Sequence, residues 1–114
     1  MARGKKVTEE STVGKAAEAL RRRAGGRIDL CVVLGTGVAG PTLADPEVVP
    51  VGEIHGLVVP SVPGHPGEVR FGVVRGLRAA VFSGRCHLYE GYTPAEVVRP
   101  VRASALAGAR LLCA

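Results

Sequence analysis

Three short strings in this 114-residue chain carry side chains able to do chemistry. The densest is Gly84-Arg85-Cys86-His87-Leu88-Tyr89-Glu90-Gly91-Tyr92. Residues two apart share a side of an extended stretch, so Arg85, His87 and Tyr89 would point the same way. A guanidinium fork grips an oxyanion with paired N–H donors, an imidazole adds another donor, and a phenol ring packs against a sugar. The string reads equally as a polar strand end in which Arg85 pairs with Glu90 and Tyr89 fills a gap. The second string, Gly64-His65-Pro66-Gly67, sets an imidazole on a loop, where it reads first as a surface-turn histidine. The third, Gly35-Thr36-Gly37-Val38-Ala39-Gly40, follows an apolar run. Glycines there let backbone N–H groups approach an anion, and Thr36 adds a hydroxyl. A tight turn with no ligand is its other reading. It lacks the Gly-Lys-Ser/Thr of a Walker loop, and with Gly40 read as one position off the Gly-x-Gly-x-x-Gly spacing the dinucleotide fingerprint is expected to fail too.

Other constellations fail. No Gly-x-Ser-x-Gly nucleophile elbow and no zinc-spaced His/Cys/Asp cluster occurs, and Glu53 and His55, two apart, are too few for a metal site.

The elements that must position these strings can be read from period and punctuation. Residues 1–7 form a polar tail, expected to be flexible. From Thr8 a helix is predicted, with Glu9 and Glu10 in the first turn and Val13, Ala16, Ala17, Leu20 and Ala24 along one face. Arg21, Arg22 and Arg23 enrich its last turn, and Gly25-Gly26 stops it. Ile28 to Leu34 reads as a strand covered on both faces, running into the Gly-Thr-Gly loop. An irregular stretch follows, with a short strand near Glu47 to Val51 and an apolar piece at Val58 to Val62. Glu68 to Val74 and Leu77 to Ser83 read as a hairpin joined at Arg75-Gly76. Thr93-Pro94-Ala95-Glu96 is a capping box opening a helix to about Ala107, with Pro100 removing one hydrogen bond and kinking it. Gly108 ends that helix, and Arg110 to Cys113 reads as a further strand.

Composition narrows the class. The chain is 46% hydrophobic with two Phe, two Tyr and no Trp, so its core must be aliphatic. The sixteen Gly and eight Pro lie between apolar runs, which favours a folded chain rich in turns. The net charge of +5 resides in residues 1–27, where eight bases face three acids. With no aromatic residue interleaved for base stacking, that segment reads as a solvated helix face rather than a nucleic-acid arm. Three cysteines without CxxC spacing, set in apolar runs, read as reduced, buried thiols. No apolar run is long enough to span a bilayer, and no signal pattern is present, so a cytoplasmic protein without membrane partners is expected.

In order and spacing, the Leu-Gly-Thr-Gly strand end, Val62-Pro63-Gly64-His65-Pro66-Gly67-Glu68 and the Gly84 to Tyr92 string resemble the trimeric purine nucleoside phosphorylases. The likeness covers nearly the whole chain. The Gly-Arg-x-His-x-Tyr-Glu-Gly-Tyr string is its most specific part, whereas the Gly-Thr-Gly loop is shared with methylthioadenosine phosphorylases, the runner-up family. The resemblance implies an α/β fold, a mixed sheet flanked by helices, with residues 1–114 forming a single, partial N-terminal domain of the nucleoside phosphorylase fold. It implies purine salvage chemistry: phosphate cleaves the N-glycosidic bond of a purine nucleoside, giving free base and ribose 1-phosphate. By matching, Thr36, His65, Arg85, Cys86 (through its backbone) and His87 would bind phosphate, and Tyr89 would pack on the ribose. Neither organic cofactor nor metal is implied. Phosphate is the co-substrate, and the full-length family is expected to be homotrimeric. The departure is length. The family continues past Arg110 into an Asn-Ala-Ala-Gly phosphate turn and the Glu and Asn that grip the purine. The chain is therefore expected to be a fragment, inactive alone, that binds phosphate without turnover. Thr36 stands where many members have Ser, with the hydroxyl kept.

Overall fold

The computed structural model describes residues 8–34, 40–57, 67–84 and 92–113. Helix α1 spans Glu9–Ala24. Its N-cap is Thr8, whose side chain accepts from the Ser11 backbone N–H at 3.0 Å. Gly25 closes it in the left-handed region, at φ 81°, a conformation a side chain would resist. Strand β1 spans Leu30–Leu34 and β2 spans Ala44–Pro50, followed by a 3-10 turn at Val51–Glu53. Strands β3, Glu68–Val74, and β4, Leu77–Ser83, form the expected hairpin. Arg75 and Gly76 both have positive φ, 53° and 78°, the twist a two-residue hairpin loop requires. Helix α2 spans Pro94–Leu106 and β5 spans Leu111–Cys113. At its start Thr93 and Glu96 make both capping-box bonds, 2.8 and 3.1 Å. The helix continues through Pro100.

The strands form one mixed sheet, in the order β2-β3-β4-β1-β5. β3 runs antiparallel to both its neighbours, β2 and β4, whereas β1 runs parallel to β4 and β5. The α/β class and mixed sheet expected from the sequence are both present. Both helices pack on the same face. There Val13, Ala16, Leu20, Ala103 and Ala107 meet Cys31, Val69, Phe71, Ala80 and Phe82. A smaller cluster of Val32, Leu34, Leu43, Ala79 and Val81 occupies the opposite face. Strand β4 is therefore buried on both sides, Ala79 to Phe82 without a break, as a central strand demands.

Two sequence expectations need correction. Cys31 is buried, but Cys113 is exposed, because β5 is the outer strand and no described element covers it. Leu111 and Leu112 share that exposure. The glycines at 35, 37 and 40 do stand at the spacing of a dinucleotide fingerprint. The fingerprint fails on context instead: the chain goes on from Gly40 into strand β2, where that motif needs a helix. No helix among the described residues is long and apolar enough to cross a membrane.

Candidate functional site

Thr36, His65, Arg85, Cys86, His87 and Tyr89 all lie outside the described residues, as does the apolar piece at 58–62. The described residues fix the points from which those segments leave the sheet. Leu34, the last residue of β1, is in register with Ser83, the last of β4. Ser83 is in turn in register with Glu68, the first residue of β3. Leu34, Ser83 and Glu68 therefore form one row across three neighbouring strands, about 10 Å wide at ~4.8 Å per strand. Thr36 follows that row by two residues, Arg85 follows it by two, and His65 precedes it by three. The described strand ends that adjoin the three strings in sequence thus lie at one end of the sheet. It is the carboxyl end of β1 and β4, where ligands of open α/β sheets bind.

Local structure explains how the chain reaches this row. Gly40 returns against the end of β1: a Cβ placed there would lie 2.9 Å from Leu34 Cδ1 and 3.3 Å from Val81 Cγ1. A side chain there would have to displace the end of the Leu34 side chain, so Gly40 packs close beside the end of β1. Gly84, at φ 72°, turns the chain as it leaves β4. On the other side of the 85–91 segment, Tyr92 leads into the capped start of α2. The 58–66 segment rejoins at Gly67, whose carbonyl accepts from the Val51 backbone N–H at 3.0 Å.

At the start of that same segment is a group of residues the sequence did not reveal. Arg99, on α2, donates from Nε and Nη2 to the Glu9 carboxylate at 2.8 and 2.7 Å, and from Nη1 to the Gly56 carbonyl at 2.7 Å. The Arg99 side chain is 12% exposed. Its fork holds the Glu9 carboxyl below the ordinary carboxylate range against the upward push of burial, with a smaller downward pull from Arg102. Arg99 is correspondingly raised by the same carboxylate. The pairing joins residues 90 apart, and no local pattern announces it.

Two cavities lined by described residues, of about 340 and 300 Å³, lie at the opposite end of the sheet. One is bounded by Arg21, Arg27 and Arg110, the other by Arg23, Asp45 and Arg78. Neither adjoins the row at Leu34, Ser83 and Glu68.

No protein-family model matches the chain. Over 102 residues it is 40% identical to a purine nucleoside phosphorylase of Mycobacterium tuberculosis, covering 86% of this chain and 38% of that protein. Its homologues are purine nucleoside phosphorylases. The solved structures agree. A purine nucleoside phosphorylase in complex with ribose 1-phosphate superposes with a TM-score of 0.81 at 28% identity, over 94% of this chain and 40% of that one. The Schistosoma mansoni purine nucleoside phosphorylase in complex with inosine gives 0.77 at 30% identity, over 89% and 36%. The chain thus spans about two fifths of the length of the phosphorylases it matches.

Proposed function

We propose that this chain supplies the phosphate side of a purine nucleoside phosphorylase, which transfers the pentosyl group of a purine nucleoside to inorganic phosphate. The observation that carries the reading is the in-register row of Leu34, Ser83 and Glu68. From that row, or into it, run three stretches from distant parts of the sequence, each containing donors suited to an oxyanion. In this reading Thr36, His65, Arg85, the Cys86 backbone N–H and His87 hold phosphate, and Tyr89 packs on the ribose. The complexes of related phosphorylases with ribose 1-phosphate and with inosine support the substrate class.

The chemistry asks for positioning rather than proton transfer. As the N-glycosidic bond breaks, positive charge grows on the sugar and electrons leave with the base. A fixed phosphate anion beside the sugar stabilises that charge and then forms the new C–O bond. Arg85 and His87 act by orienting the nucleophile, not as general bases. Neither organic cofactor nor metal takes part in the proposal. A homotrimer of the whole protein, and a cytoplasmic location with a role in purine salvage, belong to the same reading.

For the 114 residues taken alone, phosphate binding without turnover is expected. The test is phosphate-dependent release of hypoxanthine from inosine, with phosphate binding measured in parallel and Arg85→Ala as the control. Phosphate binding that Arg85→Ala abolishes supports the site. Phosphate binding indifferent to Arg85, or none at all, rejects it.

A further inference from the structure

We infer that the open cavity bounded by Arg21, Arg27 and Arg110 is a binding site for a small anion carrying a chain of phosphate groups. The inference is independent of the function proposed above. The cavity forms where two helix-to-strand connections meet. α1 leads through Arg27 into β1, α2 leads through Arg110 into β5, and the two strands are parallel neighbours. Backbone hydrogen bonds stitch the connections together: the Ile28 N–H donates to the Ala107 carbonyl and the Arg110 N–H to the Asp29 carbonyl, both at 3.1 Å. Gly108 brings the two turns closer still. At φ 120°, its Cβ position lies 2.5 Å from Arg27 Cγ and 3.0 Å from the Ile28 carbonyl oxygen, so the Arg27 stem rests on the α2–β5 turn in space that only glycine leaves open.

The rest of the wall is residues 105–109, three alanines, a leucine and a glycine, so no carboxylate lines the cavity. Among the described residues, neither Arg21 nor Arg110 has a carboxylate within ion-pair distance. Arg27 has Asp29 at 3.7 Å from Nε, but the other oxygen of that carboxylate already accepts from the Arg78 backbone N–H at 3.0 Å. Cations near a helix C-terminus also complement its dipole, equivalent to roughly half a negative charge per helix. Two such ends and Asp29 do not balance three guanidiniums, which leaves about one positive charge uncompensated. Guanidiniums grip phosphate oxygens through paired N–H donors. Set on α1 and on two separate turns, they suit an anion whose charge is spread along a chain rather than a single phosphate. The volume, about 340 Å³, is within the range of small-ligand pockets. Leu106, 59% exposed in the same wall, offers apolar surface to a base or sugar attached to that chain.

Titration calorimetry of the 114-residue chain with tripolyphosphate and with ATP, both without magnesium, tests this. Arg21→Gln, Arg27→Gln and Arg110→Gln are each expected to weaken tripolyphosphate binding roughly tenfold, the size of effect for losing a charge-assisted hydrogen bond. Arg22→Gln makes the same charge change on the same helix outside the cavity, and should stay within about twofold. Arg85→Ala should also stay within about twofold, so this site and the phosphate site proposed above can fail separately. Arg21 and Arg110 are exposed, so thermal melts of their variants should match the wild type and keep the test valid even if Arg27→Gln unfolds. ATP binding tighter than tripolyphosphate, with the excess lost in Leu106→Ser, supports the site with a nucleotide as its ligand. ATP binding no tighter supports it with the phosphate chain alone. A wild-type chain that binds neither anion overturns the inference. So does an Arg22→Gln effect as large as those of the cavity variants, because binding would then follow net charge, and so does loss of binding in Arg85→Ala.

Discussion

Ser104 offers a sharp test of the packing. It lies on α2 between Ala103 and Ala107, fully buried on the face that meets the sheet. Its hydroxyl has no hydrogen-bond partner in ordinary geometry among the described residues. It is near enough to the buried Cys31 thiol to pull that group's pKa down, against the larger upward push of burial. Ser104→Ala removes an unsatisfied hydroxyl, whose burial costs ~1–3 kcal/mol. It also replaces a middling helix former by the best one, a gain of about 0.5 kcal/mol. Against these stand a void the size of one oxygen and the loss of a weak sulfur contact, together about 1 kcal/mol. The net is a stabilisation of about 1 kcal/mol. With an unfolding entropy near 2.1 cal/mol/K per residue, that raises the melting temperature of the chain by about 4 °C. Thermal melts followed by circular dichroism measure this directly, and thiol titration at mildly alkaline pH should show Cys31 becoming still slower to react. A melting temperature that falls in Ser104→Ala would refute the reasoning, since it would mean the hydroxyl is satisfied and structural.

Other outcomes follow from features of the same fold. Thr93→Ala removes the acceptor for the Glu96 N–H and should cost ~1 kcal/mol, whereas Thr93→Ser should melt within a degree or so of the wild type. Because Arg99 holds the Glu9 pKa below its ordinary 4.5, the pair's contribution to stability is complete above that value and is lost as pH falls through the lower, folded value. Acid melts should therefore show a stability loss that Glu9→Gln lessens, and equal acid slopes in the two chains would contradict the pairing. Gly72→Ala puts a Cβ 2.7 Å from Leu43 Cβ and 2.9 Å from the Ala44 carbonyl oxygen, so urea unfolding should report a loss of ~1–3 kcal/mol.

Elements announced by local punctuation were legible in the sequence. The Gly25 stop of α1, the Arg75-Gly76 hairpin and the Thr93-Glu96 box each depend on residues within one turn of each other. β2 begins earlier than its apolar residues suggested, because Ala44 pairs Val73 across a bulge at Asp45, φ 50°, that only β3 can impose. The exposure of Cys113 follows from its place at the sheet margin, which strand-level apolarity does not encode. The candidate site divides in the same way. Its chemistry is written in three short strings. That the strand ends beside them share one row depends on the β3-β4-β1 register, and the Arg99–Glu9 pair joins two helices through residues 90 apart in sequence.

The strand order also sets a schedule for assembly. β2, β3 and β4 are neighbours in sequence and in space, so they can zip together with little loop-closure entropy. β1 leaves the ribosome before them, yet it must wait for β4: the contact between Asp29 and the Arg78 N–H closes 49 residues of chain. Its insertion between β4 and the late-coming β5 is long-range and is therefore expected to be the slow step of folding. That step creates the Leu34–Ser83 end of the row, so the strand ends that precede Thr36 and Arg85 in sequence are expected to come together only at the last stage of folding. Phosphate should accordingly leave the early hairpin phase untouched and act on the rate at which the finished sheet comes apart.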